Sequence, residues 1–225
     1  MPVILAGKKI TTVGIIEDDD SNRDSLAEIV ADANFRPVPR DEPLPSLADF
    51  AATAARTTDA FIFDHHLKQS QYAPFDGAEA VAALYKKRPS LLCTQWSKAD
   101  IDTIRLHRRR IPVLIPTDDM NPERITQGIE VCIKEFKDEF LPSREPVRTI
   151  VRIEDVDSKQ NPPTVYGILP SWNPRQVVRF PIDVIDEKLR KYVRADERFF
   201  VHVNLGAEDE AELYLDDFEY RGRLK

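Results

Sequence analysis

The feature that most constrains this chain is an alternation repeated five times along its first part. A short β-prone apolar run gives way to a polar loop, and then to apolar residues at helical spacing. "TTVGII" (11–16) leads through "EDDDSN" into a segment where Leu26, Ile29 and Val30 fall at the helical spacing i, i+3, i+4. "FRPVPR" (35–40) precedes the Ala-rich "LADFAATAA" (47–55), and "AFIF" (60–63), ending on Asp64, precedes "DGAEAVAALYKKR" (76–88). "SLLCTQ" (90–95) precedes "KADIDTIRLHRRR" (98–110), and "IPVLIP" (111–116) precedes residues 118–140. In the last of these helices Pro122 suits the first turn, and Ile125, Ile129, Cys132, Ile133 and Phe136 share a face. Five such units in about 130 residues leave room only for short connections. Apolar strands separated by amphipathic helices specify an α/β domain: a doubly wound, five-stranded parallel sheet covered on both faces. Ligands in such sheets bind at the carboxyl ends of the strands. That rule gathers Glu17, Asp18, Asp19, Asp64, Thr94 and Thr117 on one rim.

The pattern stops at "LPSREP" (141–146), which carries two prolines. We read residues 1–140 as the first domain, 141–146 as a linker and 147–225 as a second, β-rich domain. In the second domain "VRTIVRIEDV" (147–156), "TVYGILPSW" (164–172) and "RQVVRFPIDV" (175–184) read as strands. A polar helix over 186–197 follows, then strands at 198–206 and 211–220. Five strands with one helix between the third and fourth predict a small β-barrel-like domain, OB-like or SH3-like.

Composition narrows the function classes. The 225 residues carry a net charge of −7, and residues 147–225 hold 13 Lys and Arg against 15 Asp and Glu. Neither balance favours non-specific nucleic-acid binding. A local stripe of Arg152, Arg175 and Arg179, with Tyr166, Trp172 and Phe180 for stacking, is the form such binding would take here. Seven glycines form neither GxGxxG nor a P-loop, so the common nucleotide cradles are absent. No apolar run approaches the roughly 20 residues that span a bilayer, so no membrane partner is expected. "MPVILAGKKI" places its apolar patch before its lysines, the reverse of a secretory signal. Cys93 and Cys132 lie inside apolar segments, as buried reduced thiols would, and the expected compartment is the cytoplasm.

The acidic rim carries the chemistry. Two acids after the first strand and one after the third suit a hard cation, Mg²⁺ or Mn²⁺, which needs few protein carboxylates because it keeps waters. Asp64, held near such an ion, has the means to attack a phosphoryl group and carry it as an acyl phosphate, and Thr94 could hydrogen-bond the new oxygens. Glu17 and Asp18 also suit plain helix capping, and Asp64 a turn. His65 and His66, without further His or Cys nearby, read as loop residues. "RLHRRR" (105–110) reads as a solvated or docking surface, and Trp96 as a gate or partner surface or, equally, a buried residue.

"VGIIEDDDSNRDSL", followed by "DAFIFDHHL", "FDGAEAVAAL" and "LLCTQ", resembles the receiver domain of bacterial response regulators over about residues 10–140. Glu17, Asp18 and Arg23 match the family's acidic pair and following arginine. Asp64 falls where the family has its phosphoacceptor, Asp76–Gly77 where it has an Asp-Gly, and Thr94 where it has a strand-end Ser or Thr. The resemblance implies a flavodoxin-like fold, Mg²⁺ held by Glu17, Asp18, Asp64 and the backbone carbonyl of His66, and a histidine kinase or phosphotransfer protein as partner. Ile115 stands where the family has a lysine, Lys68 lies in the region where a proline is expected, and no aromatic is evident on the fifth strand.

An atypical response-regulator-like protein is therefore expected, with output through protein binding by residues 147–225. It is not expected to be an enzyme, beyond transfer of a phosphoryl group from a donor to its own Asp64. The alternatives are a non-phosphorylated pseudo-receiver serving as scaffold or homodimerisation module, and a nucleic-acid-binding regulator. An Asp-based hydrolase would want a second acid two residues after Asp64, and His66 occupies that place.

Overall fold

The computed structural model describes residues 3–94 and 98–222. The chain divides into two compact units, Met1–Trp96 with Arg110–Glu139, and Ser97–Arg109 with Phe140–Lys225. Among the described residues no helix is long and apolar enough to cross a membrane.

The first unit opens with a hairpin of β1 (Val3–Leu5) and β2 (Lys8–Ile10), to which the sequence reading assigned no strand. Its turn residues, Ala6 and Gly7, both take positive φ (44° and 78°). An alanine there hides the Asn-Gly type of signal by which such turns are usually read. Leu5 and Ile10 bury against the same core as Ile133.

The remaining strands are β3 (Thr12–Ile16), β4 (Arg36–Pro39), β5 (Ala60–Asp64), β6 (Ser90–Thr94) and β7 (Val113–Pro116). All pair in parallel, in the order β4-β3-β5-β6-β7. That is the 2-1-3-4-5 order of flavodoxin-like doubly wound sheets. The helices of this unit are α1 (Asp20–Asp32), α2 (Leu47–Thr57), α3 (Gly77–Leu84) and α5 (Pro122–Glu135). Period-two alternation sends Val13, Ile15, Ile62 and Leu91 to one face, where they pack with Val30 of α1 and Ile129 of α5. Phe61 and Phe63 point to the other face, where the Phe50 ring of α2 lies 5.8 Å from each.

The second unit is a five-stranded antiparallel sheet. Its strands are β8 (Val147–Asp157), β9 (Thr164–Leu169), β10 (Asn173–Pro181), β11 (Arg198–Val203) and β12 (Leu215–Tyr220), in the order β10-β9-β8-β11-β12. One face of every strand is apolar and buried, including Val151, Val165, Phe180, Val201 and Phe218. The sheet curls enough to bring Phe180 of one edge strand within 6.0 Å of Phe218 on the other. Among the described residues no ladder joins β10 to β12, so the barrel-like curl is open.

Three expectations change here. The polar helix over 186–197 shrinks to one turn, α6 (Glu187–Arg190), after which the Tyr192 ring stacks on Tyr220 at 4.1 Å and Asp196 takes φ +68°. Phe180 is core, not a stacking surface, and Trp172 is half-buried with its Nε1–H donated to the Ala207 carbonyl at 2.8 Å. The basic run 105–110 is a solvated surface only in part: Arg110 is exposed, whereas Arg105 and Arg108 are buried. Helix α4 (Lys98–Arg105) belongs to the second unit, where Arg105 is buried and its Nη2 donates to the Glu210 carbonyl at 2.9 Å. Asp102 pairs with Arg179, and Arg144 donates to the carbonyls of Arg108 and Arg109.

A fragment starting at 140 keeps all five strands of this sheet but lacks α4. It should melt several degrees below the same sheet in the full chain, followed by the near-ultraviolet signal of Trp172 and the Tyr192–Tyr220 stack. Equal midpoints would show that residues 97–109 add nothing to the second unit.

Candidate functional site: an acidic rim

The carboxyl ends of β3 and β5 sit side by side, because Ile16 pairs with Phe63 in the ladder. Glu17, Asp18 and Asp64 therefore project at one edge, each with one carboxylate oxygen within 4.8 Å of those offered by the other two. Asp19 is drawn away from this group. It is the N-cap of α1 and accepts the Asn22 N–H at 2.9 Å, so the three consecutive acids divide into two rim residues and a cap.

Arg23 sits one turn into α1 and is buried. Its Nη1 donates to the Glu17 carbonyl at 2.7 Å, its Nε to Asp41 Oδ1 at 3.1 Å, and its Nη2 pairs with Asp20. The guanidinium thus fastens the loop that presents Glu17 and Asp18, while its charge faces Asp20 and Asp41. Lys68, the cation nearest Asp64 in sequence among the described residues, pairs with Asp76 and Glu79 at the start of α3.

Asp64 accepts the His66 N–H on Oδ2 at 2.6 Å. Asp76 and Gly77 follow from a close approach: a Cβ on Gly77 would stand 1.9 Å from the Asp64 carbonyl oxygen. The Gly77 N–H also donates to the His65 carbonyl at 3.0 Å. The first turn of α3 is thereby pressed against the strand end that carries Asp64.

Further along the rim, Asp64, Cys93 and Ile115 lie in one cross-sheet row. Ile115 is two strands from Asp64, about 10 Å at ordinary strand spacing. It is 3% exposed and packs in the core shared by Ile125 and Ile129. Thr94 ends β6 one position beyond Cys93 and is fully buried. Thr117 Oγ1 lies 3.5 Å from the Cys93 thiol. Both cysteines are buried and free. The sequence reading did not place Cys93 beside the acids. Burial pushes its thiol up to about 11, and the charges of Asp64 and Glu17 add to the effect. Trp96 lies outside the described residues.

The electrostatics follow from crowding. Glu17 is 5% exposed, and burial first, then the charge of Asp64, pushes its carboxyl up to about 8. Burial also raises Asp64, against the lowering effect of the His66 and His65 N–H groups. Three clustered carboxylates, two of them costly to ionise, form an oxygen donor set that fits a hard divalent cation. Asp18 and Asp64 would hold it, with Glu17 acting through water.

The strand order and its acidic rim define a flavodoxin-like doubly wound domain with a carboxylate cluster at the ligand-binding edge. Among solved structures, the chain is similar to a CheY-like receiver domain protein of Methanospirillum hungatei JF-1, at 17% identity and a TM-score of 0.41, over 58% of this chain and 98% of that one. It is also similar to a receiver domain protein of Clostridium thermocellum, at 11% identity and TM-score 0.44, over 57% and 98%. A third is a chemotaxis response regulator of Vibrio cholerae, at 18% identity and TM-score 0.40, over 55% and 98%. No family model and no curated protein matches the sequence.

Two outcomes are expected at this site. Gly77→Ala should cost about 2 kcal/mol or more in urea unfolding, because the added carbon meets backbone that cannot rotate away. A loss under about 0.5 kcal/mol, the range of neutral surface changes, would contradict the close approach. Glu17 gives a pH signature. Its folded-state value, about 8, lies above its ordinary 4.5, so the folded protein binds the extra proton and stability falls as pH rises between those values. In a chelating buffer, Glu17→Gln should flatten that slope, and millimolar Mg²⁺ should raise the wild-type midpoint most at the alkaline end. Parallel pH profiles for both proteins would contradict the assignment.

Proposed function

We propose that the first unit is a receiver-like signalling module that binds a divalent cation through Glu17, Asp18 and Asp64 and accepts a phosphoryl group on Asp64. The single observation that carries this reading is the carboxylate cluster at the ends of β3 and β5. The His66 carbonyl completes the set of ligands implied by the resemblance to receivers.

In the proposed step a carboxylate oxygen of Asp64 attacks phosphorus, forming the acyl phosphate. The bond to the donor's leaving group breaks, and that group departs with its electron pair. A bound Mg²⁺ supplies charge neutralisation for the entering oxygens. Burial raises the Asp64 carboxyl, and the N–H groups of His66 and His65 act in the opposite direction, favouring the carboxylate that attacks. The Thr94 hydroxyl donates to a phosphoryl oxygen, and the His66 N–H steadies the carboxylate. Ile115 contributes neither charge nor donor, so stabilisation of the new dianion is incomplete. Phosphorylation is accordingly slow and its structural response weak. The chain leaves Thr94 and enters the second unit within a few residues, through α4. That continuity supports output through protein contacts of the second unit. The donor is a histidine kinase, a phosphotransfer protein or a small acyl phosphate. The buried Ile115 also supports a second reading, a non-phosphorylated scaffold that keeps only the cation site.

Intact-mass measurement with a small phosphodonor and Mg²⁺ separates these readings. We expect slow, partial addition of one phosphoryl group to wild type, none to Asp64→Ala, and faster addition to Ile115→Lys. The lysine ammonium would replace the missing partner along the Asp64–Cys93–Ile115 row, at some cost in core packing. Fast, complete labelling of wild type would show the lysine to be dispensable. No labelling of wild type or Ile115→Lys would leave the scaffold reading.

A further inference from the structure

The first unit holds a concavity that the proposed function does not use. It lies where β4 ends and the chain crosses to α2, and its volume is about 440 Å³. Small-molecule pockets span roughly 300–1,000 Å³. Pro39, Pro43 and Pro45 stiffen the wall. The Arg40 N–H donates to the Ile15 carbonyl at 3.1 Å, and the Leu44 N–H to the Tyr72 carbonyl at 2.7 Å. The Tyr72 hydroxyl donates to the Arg40 carbonyl. Both ends of the segment 40–44 are thus pinned, and residues 41–43 between them stand exposed. From α2 the cavity is lined by Phe50, which is buried. The rings of Phe61, Phe63 and Phe75 back it at 5.8, 5.8 and 5.9 Å.

Three charged residues line the cavity, Arg40, Asp41 and Glu42. Asp41 is taken, since its Oδ1 accepts the Nε–H of Arg23 at 3.1 Å. Arg40 and Glu42 make no ion pair among the described residues, with each other or with a third group. The Arg40 side chain donates no hydrogen bond among the described residues, although its Nε is buried. Buried polar atoms are nearly always paired, so this guanidinium is short of an acceptor. The cavity therefore presents an unpaired cation, an unpaired anion and an apolar floor.

The geometry points to this cavity as a binding site for a free α-amino acid with an apolar side chain. The carboxylate pairs with the Arg40 guanidinium, whose planar fork suits it. The ammonium pairs with Glu42, and the side chain packs against Phe50, Leu44 and Pro45. A simple carboxylate would be repelled by Glu42, and a simple amine by Arg40. A peptide terminus brings only one of the two charges.

The test uses the full chain with L-phenylalanine and L-leucine, each beside analogues lacking the amino group or the carboxylate. Saturation-transfer NMR titrations should show saturable binding of at least one amino acid at millimolar concentration. Its two analogues should bind about tenfold more weakly, the loss of one charge-assisted hydrogen bond. Arg40→Met should weaken binding by about tenfold or more, and Glu42→Gln should remove the preference over the deaminated analogue. Thr53→Phe adds bulk on the exposed α2 wall without touching either charge, and should block binding. Melting curves of the variants show that the unit persists, and the Thr53 arm stands even where Arg40→Met unfolds. Absence of saturable binding by both amino acids would overturn the proposal. So would binding indifferent to Arg40→Met or to Thr53→Phe, which would place the ligand elsewhere. Equal affinity for a deaminated analogue would overturn the assignment of Glu42 and of the ligand class.

Discussion

Glu17, Asp18 and Asp64 each bring a carboxylate oxygen within 4.8 Å of the others, and burial makes the charges of Glu17 and Asp64 more expensive than they are in water. The architecture forces this crowding, because adjacent parallel strands deliver their ends to the same edge. The rest of the rim maintains it. Arg23 ties the β3–α1 loop by its backbone and directs its charge to Asp20 and Asp41. Lys68 is occupied by Asp76 and Glu79. Ile115 supplies nothing polar. Two ways of relieving the repulsion remain, a proton on Glu17 or a cation among the three acids. Under the proposed function, a cation bound here would compete with the Glu17 proton.

Much of the first unit was legible because its signals are redundant. Each strand of the parallel sheet is apolar, each helix carries a face, and the order of elements leaves one sensible topology. The site followed from the same logic, since Glu17, Asp18 and Asp64 end strands that must be neighbours. What the sequence concealed was local or pairwise. The β1–β2 hairpin has strands of three residues and an alanine in its turn. The contact of Thr117 with Cys93 was hidden too, since it forms where the chain after Pro116 enters a 3₁₀ turn.

The second unit shows a different limit. Its five strands were readable from period-two alternation, but charge counts cannot report which face a charge occupies. Arg152, Arg175 and Arg179 were grouped from sequence, whereas the ladder groups Arg152 with Arg198 and puts Arg179 beside Asp102. The run "RLHRRR" looked like a solvated cationic face. Arg105 and Arg108 are buried, and the groups that meet them, Glu210 on the Arg105 guanidinium and Arg144 on the Arg108 carbonyl, come from far along the chain. Segment 98–105 is helical as its pattern predicts. Which sheet the helix would join was not written in its periodicity.

The exchange of a proton for a cation is directly measurable. Mn²⁺ titrated into the full chain by isothermal calorimetry, at pH 7 in buffers of differing ionisation enthalpy, reports affinity and proton release together. The account predicts weak binding accompanied by proton release, since burial and the Asp64 charge push the Glu17 carboxyl up to about 8. It predicts loss of that release in Glu17→Gln and loss of binding in Asp64→Asn. Binding that releases no proton, or that survives Asp64→Asn unchanged, would contradict the assignment of the acidic rim as a cation site.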